Sequence, residues 1–240
     1  MAINRNCGKC YNRKQFMEVY MQKEENVIRF YVLCNKLKNI IRTGWKDWQV
    51  ERDRLESVAE HIYGVQMLAL AINSEYKYDI DMMKVIMMLS IHELEEIFIG
   101  DLTMFQISKE EKKKMGHQAI SQLLNSLVDG NQIKELIYEF DERQTKEALF
   151  AHFCDKLECD LQSRLYGEEN CVNLNNQEKN TTFNDPRVQK LLSEGLSWDE
   201  MWLKFGQSIY GYDENFTALS NYALTHKISD FGKEEFKYKK

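Results

Sequence analysis

"MMKVIMMLSIHELEEIFIGD", residues Met82 to Asp101, begins as an apolar helix and ends as an acidic cluster. Met82, Val85, Ile86 and Leu89 recur at the 3.6-residue period of a helix rather than the two-residue period of a strand. From Ser90 onward, four acids and one histidine fall within twelve positions, with Ile91, Leu94, Ile97 and Ile99 threaded between them. A stretch this acidic and this apolar is a poor match for plain surface. It is either a buried metal and catalytic centre or the charged end of an amphipathic helix. The rest of the chain has to decide between them.

The same period continues on both sides. Val27, Phe30, Tyr31, Cys34, Leu37 and Ile41 form one stripe; Val58, Ile62, Val65, Leu68, Ala69 and Ile72 form another. Helical patterns also cover about 108–127, 131–141, 145–166, 197–208 and 213–227. Ser57 with Glu60 has the form of a capping box, and Ser108 is followed closely by Glu110 and Glu111. A single proline, Pro186, and eleven scattered glycines leave long stretches without helix breakers. Strand-like alternation is absent over any useful length. The expected fold is all-α, a single-domain helical bundle. Residues 1–25 read as an N-terminal extension, 26–228 as the helical domain and 229–240 as a charged tail. The segment 167–185 is polar, rich in Asn and without a stripe, and reads as a long loop or a disordered insertion.

Composition narrows the function. At 240 residues the chain can bury a substantial core, and 43% apolar with 29% charged residues is the mix of a soluble globular protein. A net charge of −6 gives no long-range pull toward nucleic acid or an anionic membrane, so neither is an expected partner. No apolar run approaches a membrane span, and the N-terminus lacks the apolar core of a signal peptide. Six cysteines spread over this length do not make a disulfide framework. Cys34, Cys154 and Cys159 sit in apolar helical patterns as reduced thiols, which points to the cytoplasm. Cys7 and Cys10 have the spacing of half a zinc knuckle, but no second pair follows, and they read as inert.

The chemistry lies in a combination. His61 stands on the polar shoulder of one apolar helix, and His92 with Glu93 at the end of a second. Asp155 lies among apolar residues in "FAHFCDKLECDLQ". Singly, each has an ordinary reading as a packed or salt-bridged side chain. Together, two imidazoles and two carboxylates on three helices make a first shell for a divalent cation. Neighbours on a helix diverge by about 100°, so His92 and Glu93 meet one ion most easily near a helix end. Glu96, four residues beyond His92, shares its face. Gly100 lets the chain turn and Asp101 adds an acid near the mouth, while Glu95 is left as plain surface charge. His117 reads as facing solvent, His152 as a packed side chain, and Lys109 to Lys114 as an exposed face that can attract an anionic substrate. Trp198, Trp202 and Phe205 recur at helical spacing and read as core or a subunit contact. The aromatic and methionine content exceeds the need of one small core, so a homodimer is expected.

"ESVAEH … IHELEEIFIGD … TKEALFAHFCDKLE" resembles the HD-domain metal-dependent phosphohydrolases, and within them the branch that contains the 5′-deoxyribonucleotidases. That branch shows an R-x-G-W-like element, S-V-x-[ED]-H, H-D-x-x-E-x-x-x-G-D, and a T-x-E-A stretch leading to D-K-L-E. Here these fall at Arg42 to Trp45, Ser57 to His61, His92 to Asp101 and Thr145 to Glu158, and the resemblance spans about 30–165. It implies a helical bundle of HD-domain type with His61, His92, Glu93 and Asp155 as metal ligands. It implies Glu96 as the catalytic glutamate, Asp101 as the aspartate beside it, Arg42 on the substrate phosphate and Trp45 near the sugar. Two departures stand out. The hallmark His-Asp pair is His-Glu here, and the stretch from Trp45 to His61 is about two residues longer than usual. Glutamate is still a hard oxygen ligand, so the site survives the exchange.

The expected function is that of a divalent-metal-dependent phosphohydrolase, a 5′-nucleotidase releasing phosphate from deoxynucleoside 5′-monophosphates. The alternatives are an HD phosphohydrolase acting on another nucleotide and a non-catalytic metal-binding helical module. One divalent ion is expected, and two histidines with two carboxylates suit manganese, iron, cobalt, nickel or zinc alike. Such an ion lowers the pKa of a bound water, while Glu96 or Asp101 moves the proton.

Overall fold

The structure is a computed structural model that describes residues 13–233. Helix α1 spans Arg13–Cys34 and runs into a 3-10 turn at Asn35–Asn39; α2 is a short helix at Thr43–Asp47. Then come α3 (Val58–Tyr76), α4 (Met82–Ile91), the four-residue α5 (Glu96–Ile99) and α6 (Lys109–Leu124). They are followed by α7 (Gly130–Glu142), α8 (Lys146–Glu168), α9 (Pro186–Ser193), α10 (Trp198–Ile209) and α11 (Glu214–Thr225). Among the described residues there is no β-strand. An isolated antiparallel bridge pairs Ile41 with Ser57. Within the same residues no helix is long and apolar enough to cross a membrane.

Short polar side chains start these helices. The Ser57 hydroxyl accepts from the Glu60 amide while the Glu60 carboxylate accepts from the Ser57 amide, the capping box foreseen for α3. Ser108 caps α6, Thr145 caps α8, and Asp81 accepts from the amides of Met83 and Lys84 to start α4. Helix α8 is the axis of the bundle and packs against α3, α4, α7, α10 and α11. It buries side chains on every side, among them Phe150, Ala151, Cys154, Leu157 and Ser163, as a central helix must. One core joins Val65 and Ala69 of α3, Val85 and Leu89 of α4, Phe150 and Phe153 of α8, and Phe216 of α11. A second gathers Leu37, Val58, Leu94, Ile120 and Ile137 around the turn after α4, and a third collects Trp45, Trp48, Tyr166, Trp198 and Phe205. Helices α3, α4 and α8 touch pairwise, so each turns one face to a shared interior.

Two expectations need correction. The extension does not stop at residue 25, because α1 runs unbroken across it to Cys34. The segment 167–185 is a long loop after the end of α8, but an ordered strap rather than a disordered insertion, with Gln177, Asn180 and Thr182 buried. Gln177 Nε2 donates to the carbonyls of Trp48 and Asn173, and Asn180 Oδ1 accepts from the amides of Thr182 and Phe183. Buried amides that satisfy backbone groups can order a segment that has no apolar stripe. Helix α9 follows directly, and its start was legible: Asp185 caps it and Pro186 takes the first helical position. Cys34, Cys154, Cys159 and Cys171 are free thiols, and burial pushes the Cys34 pKa up to about 11. Cys7, Cys10 and the last seven residues of the tail lie outside the described residues.

Candidate metal centre

Helix α4 ends at Ile91, and residues 92–95 form a turn before α5. His92 (φ −66°, ψ −17°) keeps a right-handed backbone, but the α-helix ends there, and His92 and Glu93 both reach the same cluster. His61 arrives from α3 and Asp155 from α8. His61 Nε2 lies 3.2 Å from Asp155 Oδ1 and 3.8 Å from Glu93 Oε1. His92 Nε2 lies 3.7 Å from Glu93 Oε1 and 3.9 Å from Asp155 Oδ1. All four ligand atoms fall within 4.8 Å of one another, and all four residues are buried.

The hydrogen bonds around these groups decide whether a cation fits. His92 Nδ1 is 2.8 Å from the Leu89 carbonyl, which only accepts, so this nitrogen carries the proton. Its Nε2 is therefore a lone pair, and it is buried with no hydrogen-bond partner. His61 Nδ1 donates to Glu158 Oε2 at 2.5 Å, which leaves its Nε2 turned toward the acids. Burial opposes charge on Glu93, but His92, Lys112 and Arg42 outweigh it and hold that carboxyl down at about 2. Asp155 is likewise held well below the ordinary range against burial, by Lys156, His61 and His92. Burial and Arg42 push His61 down, yet Glu158 and Asp155 hold it up at about 9. A proton thus stands where a divalent ion would compensate the same two carboxylates. Once that proton is displaced from His61 Nε2, two lone-pair nitrogens and two ionised oxygens fit such an ion.

Glu158 orients His61 in the way that carboxylates behind ligating histidines do. Gly64 makes the room, since a Cβ there would lie 2.4 Å from Glu158 Oε1. Both Glu158→Gln and Gly64→Ala are expected to weaken manganese or zinc binding by about 10–100-fold, read by titration against a chelator. Unchanged affinity in both would show that the Glu158 contact is incidental.

Beyond the ligands lies a cavity of about 470 Å³, lined by Arg42, Trp45, Glu93, Asp101 and Asp155 among others. Arg42 Nη1 is 3.3 Å from Glu93 Oε1 and 3.7 Å from Asp101 Oδ1. Asp101 accepts from the Thr43 amide at 2.5 Å, and its carbonyl accepts from the Thr43 hydroxyl at 2.6 Å. It therefore clamps the segment that carries Arg42. Trp45 donates from Nε1 to Glu56 Oε2 at 2.9 Å and packs against Tyr166, Trp198 and Trp202. It is almost wholly buried, and both it and Trp202 line the cavity. Glu96 is 1% exposed and does not line the cavity. Its Oε1 accepts from Lys112 Nζ at 3.4 Å, and its Oε2 has no partner. Burial, with Glu93 and Asp101 nearby, raises the Glu96 pKa well above the carboxylate range.

Several neighbours depart from their sequence reading. Glu95 is not surface charge: it packs against Gly116 of α6, and burial together with Glu93 pushes its pKa up to about 8. Lys112 is not on an open face, because its Nζ is anchored to the Leu102 carbonyl and Glu96. His117 is stacked on Tyr138 and bonded to Asp141 at 2.7 Å rather than facing solvent. His152 is packed as expected, but against the cavity. No sequence signal distinguished Lys112 from its neighbours in a lysine run. Glu158 was within reach of the reading, three residues past Asp155 and so on its face of α8.

Fold and site together define a helical protein whose bundle core gathers, from three helices, a buried cluster able to hold a cation. Comparison with known proteins narrows the class. The HD-domain family profile matches residues 34–208. The chain belongs to the HD-domain family. It is 36% identical over 168 residues to the 5′-deoxynucleotidase HDDC2 of Dictyostelium discoideum, covering 67% of this chain and 87% of that one. It is 30% identical to the 5′-deoxynucleotidase hdd1 of Schizosaccharomyces pombe, covering 57% of this chain and 70% of that one. In fold it is similar to a "predicted metal-dependent phosphohydrolase" from Magnetospirillum magnetotacticum MS-1. The TM-score is 0.59 at 21% identity, covering 87% of this chain and 94% of that one.

Proposed function

We propose that the protein is a divalent-metal-dependent 5′-nucleotidase that hydrolyses deoxynucleoside 5′-monophosphates to deoxynucleoside and inorganic phosphate. The observation that carries this reading is the pair of buried imidazoles whose Nε2 atoms face two ionised carboxylates at the floor of a 470 Å³ cavity. That volume suits one nucleotide. The names of the Dictyostelium and Schizosaccharomyces relatives support the substrate class.

His61, His92, Glu93 and Asp155 hold the ion. Bound there, it supplies positive charge beside the phosphoryl oxygens and lowers the pKa of a water. Arg42 adds a cation on the same side, fixed by Asp101 and Glu93. Water adds to phosphorus and gives up a proton to a carboxylate of the site, the bond to the 5′-oxygen breaks, and that oxygen takes up a proton in exchange. Burial with Glu93 and Asp101 nearby favours the protonated form of Glu96, which does not line the cavity and would pass its proton on from the unpartnered Oε2 by way of a water. Asp101 lines the cavity and would take the proton that the water loses. Trp45 and Trp202 form the apolar wall for sugar and base. The donor set accepts manganese, iron, cobalt, nickel or zinc. A homodimer through the exposed Tyr63, Met67 and Leu70 of α3 with Met83 and Met87 of α4, in the cytoplasm, completes the reading.

The test is to strip the metal, restore manganese, cobalt or zinc singly, and measure phosphate release from a nucleotide panel. The panel holds deoxy- and ribonucleoside monophosphates, cyclic nucleotides and triphosphates. Release from deoxynucleoside 5′-monophosphates, reduced about 10²–10⁴-fold in Glu96→Gln, is expected. Bound metal with no release from any compound would leave a non-catalytic metal module.

A further inference from the structure

The cations around the cavity are not equally engaged. Arg42 is paired with Glu93 and Asp101, Lys112 with Glu96, and Lys113 with Glu142. His117 is bonded to Asp141. The side chains of Lys109 and Arg143 line the same cavity with no ion pair or hydrogen bond among the described residues. Lys156 touches only Asp155 Oδ2, at 2.8 Å, whose other oxygen faces His61. Between these cations sits His152, 3% exposed, with Nδ1 buried and without a partner. Burial, then the charges of Lys156, Arg143 and Lys109, hold its pKa down at about 3, so the ring is neutral at physiological pH. The Tyr210 ring stands 6.2 Å from that imidazole and also lines the cavity. Burial raises its hydroxyl pKa, so it remains an O–H donor.

We propose that Lys109, Arg143, His152, Lys156 and Tyr210 form a phosphate-binding subsite on the α6–α7–α8 side of the cavity, against the metal centre. The geometry is a wall of donors without an acceptor to match. The acids that face it are already engaged: Asp141 by His117 and Asp155 by Lys156 and His61, while Glu95 packs against Gly116 of α6. Arg143 stands at the C-cap of α7 with φ 55° and ψ 32°, in the left-handed region where glycine is the unstrained choice. A glycine there would relieve the backbone but remove the one guanidinium in the cavity that has no carboxylate partner. Because Lys156 is bonded to Asp155, an anion held by the subsite adjoins the ion's own ligand. A tetrahedral dianion there receives bidentate contact from Arg143, point charge from Lys156 and Lys109, and neutral donors from His152 and Tyr210. This inference rests on the nucleotidase reading and deepens it. The phosphoryl charge of the substrate, or of released phosphate, is met here as well as by Arg42, which is already paired with Glu93 and Asp101.

The test uses the manganese-loaded full chain and two readouts. Inorganic phosphate binding is measured by calorimetry without nucleotide, and kcat and KM are measured for a deoxynucleoside 5′-monophosphate. The variants are Arg143→Gln, Arg143→Lys and Lys77→Gln. Lys77 is a matched control, since it caps α3 in the same left-handed conformation on the exposed surface. Arg143→Gln is expected to weaken phosphate binding at least about tenfold, with partial recovery in Arg143→Lys and no change in Lys77→Gln. A parallel rise in KM with kcat nearly kept assigns the subsite to the substrate's phosphoryl group. Weaker phosphate binding at constant KM assigns it to the product. Phosphate affinity unchanged within twofold in Arg143→Gln overturns the subsite, even if hydrolysis is normal. Weakened phosphate binding in a protein that hydrolyses no nucleotide keeps the subsite and removes the nucleotidase reading instead.

Discussion

Replacing Asp155 by Asn is expected to leave the helical fold in place and remove both the bound ion and hydrolysis. Asn keeps the shape of the side chain, so the packing of α8 against α3 and α4 is retained. What it loses is the charge that His61, His92 and Lys156 stabilise on a buried carboxylate. The centre then offers one anionic oxygen instead of two. An ion that supplies several kcal/mol of transition-state stabilisation takes about three factors of ten in rate with it when it leaves. Metal analysis of the purified variant, beside its kcat/KM and circular dichroism, checks this. Metal content equal to the wild type would remove Asp155 from the ligand set.

Trp48→Ala is expected to be the most destabilising change at a single residue in the third core. Trp48 is 0% exposed and packs edge-on against Phe183 and Trp198. Its carbonyl also anchors Gln177 of the polar strap. Truncating a buried tryptophan costs about 3–5 kcal/mol through lost contacts and the cavity left behind. The indole N–H has no partner, and removing an orphaned donor returns about 1–3 kcal/mol, so the lower end of that range is expected. For a chain of this size about 3 kcal/mol corresponds to a fall of roughly 6–12 °C in Tm. The melting curve of Trp48→Phe, which keeps an aromatic face and has no N–H to bury, should fall between wild type and Trp48→Ala. Equal curves for all three would mean that the strap and α10 do not depend on this core.

The helices were legible wherever one face is buried and a capping residue starts the run, as at Ser57, Ser108, Thr145 and Ser197. The four residues that the fold gathers into one buried cluster stood out because they are rare residue types placed on separate apolar helices. The strap at 167–185 was not, because it is ordered by amides bonded to backbone groups far along the chain, such as Gln177 to Trp48. Such pairings leave no period in the sequence. Glu95 and Lys112 were misread for a related reason. The four-residue α5 is too short to show a face, and which lysine of α6 turns inward depends on how α6 packs on it. Glu93 raised the opposite question, whether a longer acid can serve where aspartate is usual. It lies with Oε1 between His61, His92 and Arg42, because the turn after α4 sets its backbone outside the helix.

The central claim is that one divalent ion sits between His61, His92, Glu93 and Asp155 and that catalysis depends on it there. Anomalous diffraction at the manganese edge, from crystals of protein loaded with manganese, tests it most directly. The account predicts a single strong peak bounded by His61 Nε2, His92 Nε2, a Glu93 oxygen and Asp155 Oδ1, with His61 Nδ1 still on Glu158. A peak among Glu56, His61 and Glu158, the other buried group able to gather around an ion, would contradict it.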